Sequence, residues 1–325
     1  MIDGTEQPMN LQRMVLVPVM LIFFGLLNFT NAQENPNFDE VNIRILPVRD
    51  NIYMLVGLGG NITVQVGESG VLVVDTQFAP LSEKIKATIN DLAQSTSRYI
   101  IINTHVHSDH TNGNEALAQW AQELTGTTTR IIAHENVLVR MTATPDESVP
   151  ETQISPTAWP NAPYLTGFKG LHFNGEPIEI LHQPEAHTDG DSMVFFRSSD
   201  VVSTGDIFTP GNYPVIDIAR GGSVQGIIDA LNRLLRITIV EDKQEGGTKV
   251  IPGHGRLCEE ADVVEYRNMI TIIRDRVQNL INRGMSLQEV KDARPTLDYD
   301  TEYGSDTGFW TTGMFVEAVY RSLSE

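Results

Sequence analysis

Four side chains of metal-binding type fall within six positions of this sequence, in the segment THVHSDHTNGN. They are His105, His107, Asp109 and His110, and they follow a buried strand predicted at Tyr99–Asn103. His105 and His107 stand two apart at the strand end, so both project to one side and can bind one metal ion. Asp109 and His110 lie on the turn into the next helix and can bind a second ion. The motif therefore requires a fold that brings further ligands to this strand end.

Three downstream residues supply the ligands that the motif lacks. They are His187 in PEAHTDGDS, Asp206 in STGDIF and His254 in IPGHG. Each follows or ends a predicted strand, where the functional residues of α/β proteins gather. Imidazole and carboxylate are good ligands for zinc, and no thiolate is needed. The sequence thus predicts a centre for two metal ions that is assembled from four separate segments.

Short apolar runs between Asn-, Gly- and Asp-containing turns predict strands, and apolar residues at helical spacing predict helices. Strands precede helices in each half of the chain, which predicts a layered α/β fold with two packed sheets and helices outside. The predicted strands are Val41–Val48, Ile52–Val56, Ile62–Val66, Val71–Val74, Tyr99–Asn103, Ile178–Leu181, Ser192–Phe196, Val201–Thr204 and Val250–Pro252. The predicted helices are 81–95, 114–124, 135–142, Ser223–Ile237 and Ala261–Arg283, and a capping box at Ser286 and Glu289 opens another.

The N-terminus carries a predicted export signal. Fourteen apolar residues, Met14–Leu27, suit the core of a signal peptide and are few for a membrane span. Small residues at Thr30 and Ala32 predict cleavage after Ala32, and translation from Met9 would give a more ordinary signal. An uncleaved membrane anchor is the alternative. Residues 33–40 are expected to form a flexible tether, and 41–325 a single domain with a helical extension from about 260. The expected location is the periplasm or the exterior.

The charge of the chain limits its partners. Its 42 acidic and 23 basic residues give a net charge of −19, which repels phosphate backbones and anionic lipid. Nucleic acid is therefore excluded as the expected partner, and so is a membrane beyond the export segment. A small-molecule substrate remains, and the sequence leaves the oligomeric state open. The single cysteine, Cys258, cannot form an intrachain disulfide and is expected to be a buried apolar residue.

The order of these ligands resembles that of the metallo-β-lactamase fold superfamily over nearly all of residues 41–258. The resemblance implies a four-layer αβ/βα sandwich of two mixed sheets flanked by helices. It implies that Asp206 bridges two zinc ions and that Asp75, in VLVVDTQF, supports the ligands from behind. The resemblance assigns the remaining ligands to two metals: His105, His107 and His187 to the first, and Asp109, His110 and His254 to the second.

One position departs from the lactamases of this superfamily. Zinc β-lactamases carry Cys or Ser where this chain has Asp206, whereas a bridging aspartate resembles the glyoxalase II, lactonase and phosphodiesterase branches. His107 separates the chain from flavodiiron relatives, which have Glu there. The glutathione-binding C-terminal module of glyoxalase II is not evident. Antibiotic hydrolysis is therefore not the expected activity, although a β-lactam stays among the amides to be tested.

The expected activity is zinc-dependent hydrolysis of an ester, thioester, lactone or amide by attack of a metal-bridging hydroxide. Asp109 is the expected catalytic residue, since besides binding metal it can orient the nucleophile and receive its proton. Iron or manganese could replace zinc. The alternatives are a phosphodiesterase or sulfatase on the same site, a mononuclear iron dioxygenase, and a metal-binding module without catalysis.

Several other residues have less specific expectations. His134, His172 and His182 lack motif context and are expected to be ordinary core or surface histidines. Asp189 and Asp191 suit turns and caps. Arg220 is a candidate for binding a substrate carboxylate, and with Lys169 it is the basic group that a sulfatase or phosphodiesterase would use. The irregular segments 143–165 and 209–222 are either lids or surface loops that cover the domain edge.

Overall fold

Two sheets form the centre of the part of the chain that the structure describes. The structure is a computed structural model that describes Met1 and residues 37–93, 98–143 and 154–324. The strands of the first sheet, in spatial order, are β1 (Arg44–Arg49), β2 (Ile52–Val56), β3 (Ile62–Gly67), β4 (Gly70–Val74), β5 (Tyr99–Ile102) and β6 (Arg130–Ile132). Strands β1 to β4 are antiparallel, and β4, β5 and β6 are parallel.

The second sheet repeats this mixture of pairings. Its strands are β7 (Phe168–Phe173), β8 (Glu176–Gln183), β9 (Asp191–Phe196), β10 (Val201–Ser203) and β11 (Lys249–Ile251). Their spatial order is β11-β10-β9-β8-β7, with β10 and β11 parallel and the other pairs antiparallel. The helices are α1 (Ser82–Leu92), α2 (Ser108–Thr111), α3 (Asn114–Thr125), α4 (Glu135–Thr142), α5 (Val224–Ile237), α6 (Glu260–Asn282), α7 (Leu287–Asp292), α8 (Asp300–Tyr303) and α9 (Thr312–Ser324).

Strand β4 shows how the layers form. Its side chains alternate between two faces, and both faces are buried. Val71 and Val73 pack with apolar residues of α1 and α3, whereas Leu72 and Val74 pack against the second sheet. Burial of each such side chain contributes about 1.5–3 kcal/mol. A strand with this pattern must lie between a helical layer and another sheet.

The far face of the second sheet is covered by the C-terminal helices. Met193 of β9 packs in one core with Ile227 of α5, Ile270 of α6 and Val319 of α9. The order of layers is therefore helices, sheet, sheet, helices. The predicted αβ/βα sandwich of two mixed sheets is confirmed. Residues Asn37–Glu325 form one compact unit.

Most predicted elements occur close to their predicted bounds, and two strands were missed. Strand β2 and helix α4 have the predicted ends, and the capping box at Ser286 opens α7. Strand β6 has only three residues, and β7 is a half-exposed edge strand with a glycine at its centre. Neither strand has a regular apolar pattern of its own. Strand β7 is followed directly by Asn174 and Gly175, an Asn-Gly turn typical of a hairpin, and that signal was not used in the sequence-based prediction.

The predicted export signal, its cleavage site and residues 33–36 of the tether lie outside the described residues. The last part of the predicted tether forms a 3-10 helix, Phe38–Glu40. The Nζ of Lys84 donates hydrogen bonds to the backbone oxygens of Phe38, Asp39 and Val41 at 3.0, 2.7 and 2.7 Å. The segment predicted to be flexible thus ends in a fixed turn. Among the described residues, no helix is both long and apolar enough to cross a membrane.

Candidate metal centre

The seven predicted ligands meet at one edge of the sandwich. His105 and His107 follow β5, Asp206 lies on a 3-10 helix (Gly205–Ile207) after β10, and His254 follows β11. In the second sheet β10 and β11 are parallel, so the residues that follow them lie at the same edge. In the first sheet β5 is parallel to β4, so the residues that follow these two strands also share an edge. His187 enters from the loop between β8 and β9, and the two remaining ligands, Asp109 and His110, lie on α2.

The first group consists of His105, His107 and His187. One ligand atom of each, together with a carboxylate oxygen of Asp206, lies within 4.8 Å of the others. The Nε2 of His187 is 2.8 Å from the Nδ1 of His107. The ring nitrogens of His105 and His187 lie 3.9 and 3.8 Å from Oδ2 of Asp206. Three imidazoles and one carboxylate thus converge on one point.

The second group consists of Asp109, His110 and His254, whose ligand atoms also lie within 4.8 Å of one another. The Nε2 of His254 is 3.1 Å from Oδ2 of Asp109 and 3.4 Å from Nε2 of His110. His110 is fully buried, whereas His254 and Asp109 are partly exposed. The side chain of His107 in the first group is 23% exposed, as is that of Asp109, and that of His254 is 35% exposed. The centre is therefore most open to a substrate beside His254 and Asp109.

Asp206 lies between the two groups with one oxygen toward each. Its Oδ2 faces the first group, and its Oδ1 is 3.2 Å from His110 and 3.5 Å from His254. This orientation agrees with the bridging role that the resemblance implied. The Nε2 of His105 and the Oδ1 of Asp206 are buried and have no hydrogen-bond partner among the described residues. Buried polar atoms are costly without a partner. A cation in each group would satisfy them, so the donor set fits two divalent metal ions.

Asp75 supports the centre from behind, as the resemblance implied. Its Oδ2 is 2.8 Å from Nδ1 of His110 and accepts a hydrogen bond from Oγ1 of Thr104 at 2.7 Å. Its Oδ1 accepts from the backbone NH of Thr104 at 2.8 Å. The Thr104 hydroxyl in turn lies 3.0 Å from Nδ1 of His105. One buried carboxylate thus orients a ligand of each group.

The sequence analysis missed Asp217, which contacts a predicted ligand directly. Its Oδ2 is 2.9 Å from Nε2 of His107 and 2.9 Å from Nη1 of Arg220. Since Nε2 of His107 bonds to Asp217, Nδ1 is the nitrogen that faces the first group. Nearby, the backbone oxygen of Val215 lies 2.7 Å from Nδ1 of His187. The irregular segment 209–222 was the only signal, and no motif within it distinguishes Asp217.

The environment shifts the pKa of several ligands. Burial lowers the pKa of His187 to about 4, so its imidazole stays neutral. Burial also acts to lower the pKa of His254, but the charge of Asp206 and a hydrogen bond to Asp109 raise it to about 9. For Asp206, burial opposes ionisation, yet His110 and His254 hold its pKa well below the ordinary range. The carboxylates of the centre therefore attract positive charge strongly.

Two glycines leave room for the ligands. A Cβ on Gly253 would overlap Oδ1 of Asp206, and a Cβ on Gly60 would overlap the ring of His110. Gly205 has a φ of 54° and packs against Thr104, so it allows the tight turn that carries Asp206. Glycine is thus required at these positions because neighbouring side chains lie too close to the backbone to leave room for a Cβ.

The other residues named from sequence lie outside the two groups. His134 and His182 stack with ring centroids 3.5 Å apart, and His172 is exposed. Asp189 pairs with Arg140 at 2.7 Å. Asp191 is buried and accepts two hydrogen bonds from Thr188. Cys258 is buried and is a free thiol. Arg220 pairs with Asp217, which in turn contacts His107 of the first group. Lys169 lies on the edge strand β7.

Of the two irregular segments, the described parts pack against the domain. Tyr164 is buried between the sheets, and its hydroxyl lies 2.7 Å from Oγ of Ser192. Residues 144–153 lie outside the described part. In the second segment, Tyr213 is buried and stacks on Phe315 with centroids 4.5 Å apart. The segment 209–222 therefore anchors the centre to helix α9 rather than covering it as a free loop.

The sequence of residues 55–254 matches the family model described as the metallo-beta-lactamase superfamily. This match spans more than half of the chain. The chain belongs to the metallo-β-lactamase superfamily. The seven predicted ligands, and Asp75 behind them, lie within the matched residues. No curated protein sequence matches the chain.

Solved structures of the superfamily share the fold. The sec-alkylsulfatase Pisa1 from a Pseudomonas species has a TM-score of 0.61 and 17% identity, over 86% of this chain and 50% of that protein. The metallo-β-lactamase DIM-1 has a TM-score of 0.54 and 18% identity, over 71% of this chain and 99% of its own. A metallo-β-lactamase from Pontibacter korlensis has a TM-score of 0.52 and 13% identity, over 71% and 99%. This chain thus spans about half the length of the alkylsulfatase.

Proposed function

We propose that this protein is a hydrolase that uses two divalent metal ions, zinc in the first instance, to cleave an ester, thioester, lactone or amide. The position of Asp206 carries the proposal, because its two oxygens face two separate groups of three ligands each. A mononuclear dioxygenase would need only the first group. A module without catalysis would not need partly exposed ligands at a site open to substrate.

Two zinc ions held by these groups would supply Lewis acidity, lowering the pKa of water toward neutrality and polarising the scissile carbonyl. The residues of this chain provide the rest. His105 and His187 are buried and bonded from behind, so they hold their side of the centre rigid. The carboxylate of Asp109 lies at the accessible side, 3.1 Å from His254. From there it can orient the attacking water and receive its proton at Oδ2.

A second candidate is hydrolysis of a sulfate ester. The alkylsulfatase matches 86% of the 325 residues, about 280, which is more than the 259 residues that precede α6. That match therefore includes part of the C-terminal helices. Basic groups free to bind a sulfate are sparse among the described residues, since Arg220 is paired with Asp217, Arg256 is paired with Asp262, and Lys169 lies on the edge strand β7. This scarcity favours the carbonyl substrates.

We also propose that the protein works outside the cytoplasm on a small molecule. The apolar segment Met14–Leu27 and the small residues before its predicted cleavage site support export. The net charge of −19 supports a small-molecule substrate over nucleic acid. Mass spectrometry of protein secreted by an expressing host would test cleavage after Ala32. A protein that retains residues 1–32 would contradict this part of the proposal.

The test of the proposed function joins metal analysis to a substrate panel. The purified protein is expected to contain two zinc equivalents and to hydrolyse at least one of a lactone, a thioester, a β-lactam and a carboxylic ester, in preference to a sulfate ester or phosphodiester. Asp206→Ala should lose metal and activity together. His134→Ala, outside both ligand groups, should lose neither. One iron, no metal, or full turnover by Asp206→Ala would contradict the proposal.

A further inference from the structure

A cavity of about 210 Å³ lies between the segment that follows Asp206 and the C-terminal helices. Phe208 and Arg256 line it, and each stands two residues after a predicted ligand, Asp206 and His254 respectively. Two residues of chain span at most about 7 Å. The Cα atoms of Phe208 and Arg256 therefore lie within about 7 Å of those of the two predicted ligands. A Cβ on Gly255, the residue after His254, would lie 3.2 Å from Pro210, which also lines the cavity.

The opposite wall consists of aromatic rings from the C-terminal helices. Tyr266 of α6 and Tyr303 of α8 line the cavity. The ring of Tyr266 is 5.1 Å from that of Phe208 and 6.0 Å from that of Tyr303, measured between centroids. Tyr266 is fully buried, whereas Tyr303 is half-buried and remains accessible from the cavity. Phe208 and Tyr266 thus pack behind Tyr303, whose ring is the accessible one, and the space in front of it is large enough for one substituent.

The cavity carries an excess of negative charge. Arg256, the one cation that lines it in the described chain, is bound by Asp262 through two contacts of 2.5 and 3.2 Å. Glu265 and Glu302 also line the cavity, and no Lys or Arg of the described residues forms an ion pair with either. The pKa of Tyr303 is raised to about 12 by burial and then by Glu302, Glu265 and Asp262. The negative charge of these carboxylates therefore reaches the accessible ring of Tyr303.

We propose that this cavity binds a positively charged ammonium group of the substrate, an inference that rests on the proposed hydrolase function for the identity of the reaction. A cation over the face of an aromatic ring is attracted by the ring's negative quadrupole, and quaternary ammonium ions bind in cages of such rings. Tyr303 offers the accessible ring, and Glu265 and Glu302 offer the counter-charge at the rim. A carboxylate or sulfate placed there would be repelled by the same groups.

Two matched esters test the proposal. Acetylcholine carries a trimethylammonium group, and 3,3-dimethylbutyl acetate has the same shape without the charge. The wild-type kcat/KM is expected to be at least tenfold higher for the cationic ester. The double variant Glu265→Gln and Glu302→Gln should lower kcat/KM for the cationic ester at least tenfold more than for the neutral ester. Glu123→Gln, an exposed glutamate on α3, is the control and should change neither value.

A binding measurement separates this proposal from the proposed function. Tetramethylammonium binding, followed by calorimetry on the full protein, needs no turnover. If tetramethylammonium binds and the double variant loses it, the cavity assignment stands, even where no substrate of the whole panel is cleaved and the hydrolase proposal fails. If wild type does not bind tetramethylammonium, if the double variant binds it as wild type does, or if both esters are cleaved equally well, the cavity assignment is overturned.

Discussion

Substituting Asp217 by asparagine should weaken metal binding at the first group more than at the second. Asp217 accepts the hydrogen bond of His107 at 2.9 Å, and both side chains are largely buried, 13% and 23% exposed. Loss of such an outer partner typically weakens metal affinity 10–100-fold. Asparagine keeps the shape and one acceptor oxygen but loses the charge, so the expected loss is about tenfold. Asp217→Ala, which removes both, should approach about 100-fold.

The assay is a zinc titration in competition with a chromophoric chelator, which resolves two binding steps. Cobalt(II) absorption spectra of the same variants report which group has changed, because the ligand field depends on the orientation of the imidazoles. Asp298→Asn is a suitable control, since Asp298 is an exposed carboxylate paired with Arg276. Unchanged affinity in Asp217→Ala, or equal weakening of both steps, would refute the positioning role of Asp217.

Three further predictions concern stability and close packing. Asp75→Ala should lower the free energy of unfolding of the metal-free protein by about 3 kcal/mol in denaturant titrations, because three buried hydrogen bonds lose their acceptor. Gly253→Ala should lose metal from both groups in metal analysis, because its Cβ would overlap Asp206. Burial lowers the pKa of His134 from 6.5 to about 4, so the unfolded chain binds its proton first as the pH falls. The stability that His134 contributes is present above pH 6.5 and should decline by about 2–3 kcal/mol toward pH 4, measured against His134→Gln.

Each of these predictions has a control in the same chain. Asp298→Ala should leave the unfolding free energy within about 0.5 kcal/mol of wild type. Gly167→Ala places its Cβ in open space and should retain metal. His172→Gln, at an exposed position, should leave the pH dependence of stability unchanged. Metal retained in Gly253→Ala, full stability in Asp75→Ala, or equal pH slopes for wild type and His134→Gln would contradict the respective prediction.

The elements that the sequence predicted best are those with a strong local pattern. Strand β2 is a continuous apolar run between glycine- and asparagine-containing turns, and α4 has apolar residues at helical spacing, so both are specified by neighbours in the chain. Strand β7 pairs with β8 across the turn at Asn174 and Gly175, in which both residues have a positive φ, 48° and 83°. Asn-Gly is a local signal for such a hairpin, but the half-exposed strand before it has no regular apolar pattern, so the strand was missed.

The metal ligands and their surroundings differ in the same way. The motif from His105 to His110 is compact enough to identify the chemistry, and the glycines beside Asp206 and His254 mark tight turns. Asp217 is hydrogen-bonded to His107, which lies 110 positions earlier, and no pattern in its own segment predicts that contact. The aromatic cavity likewise joins Phe208 to helices α6 and α8, which lie far along the chain.

By itself, the sequence determined the class of fold and a candidate metal site, because strand and helix periodicity and metal-ligand spacing are properties of short segments. The resemblance had already divided the ligands between two groups. Only the tertiary structure decided which oxygen of Asp206 faces each group and that Asp217 and Val215 contact the imidazoles. It also decided that Phe208 lines one cavity with Tyr266 and Tyr303 of the C-terminal helices. These features depend on distances between residues remote in sequence, and such distances are set by the packing of the two sheets and not by any local pattern.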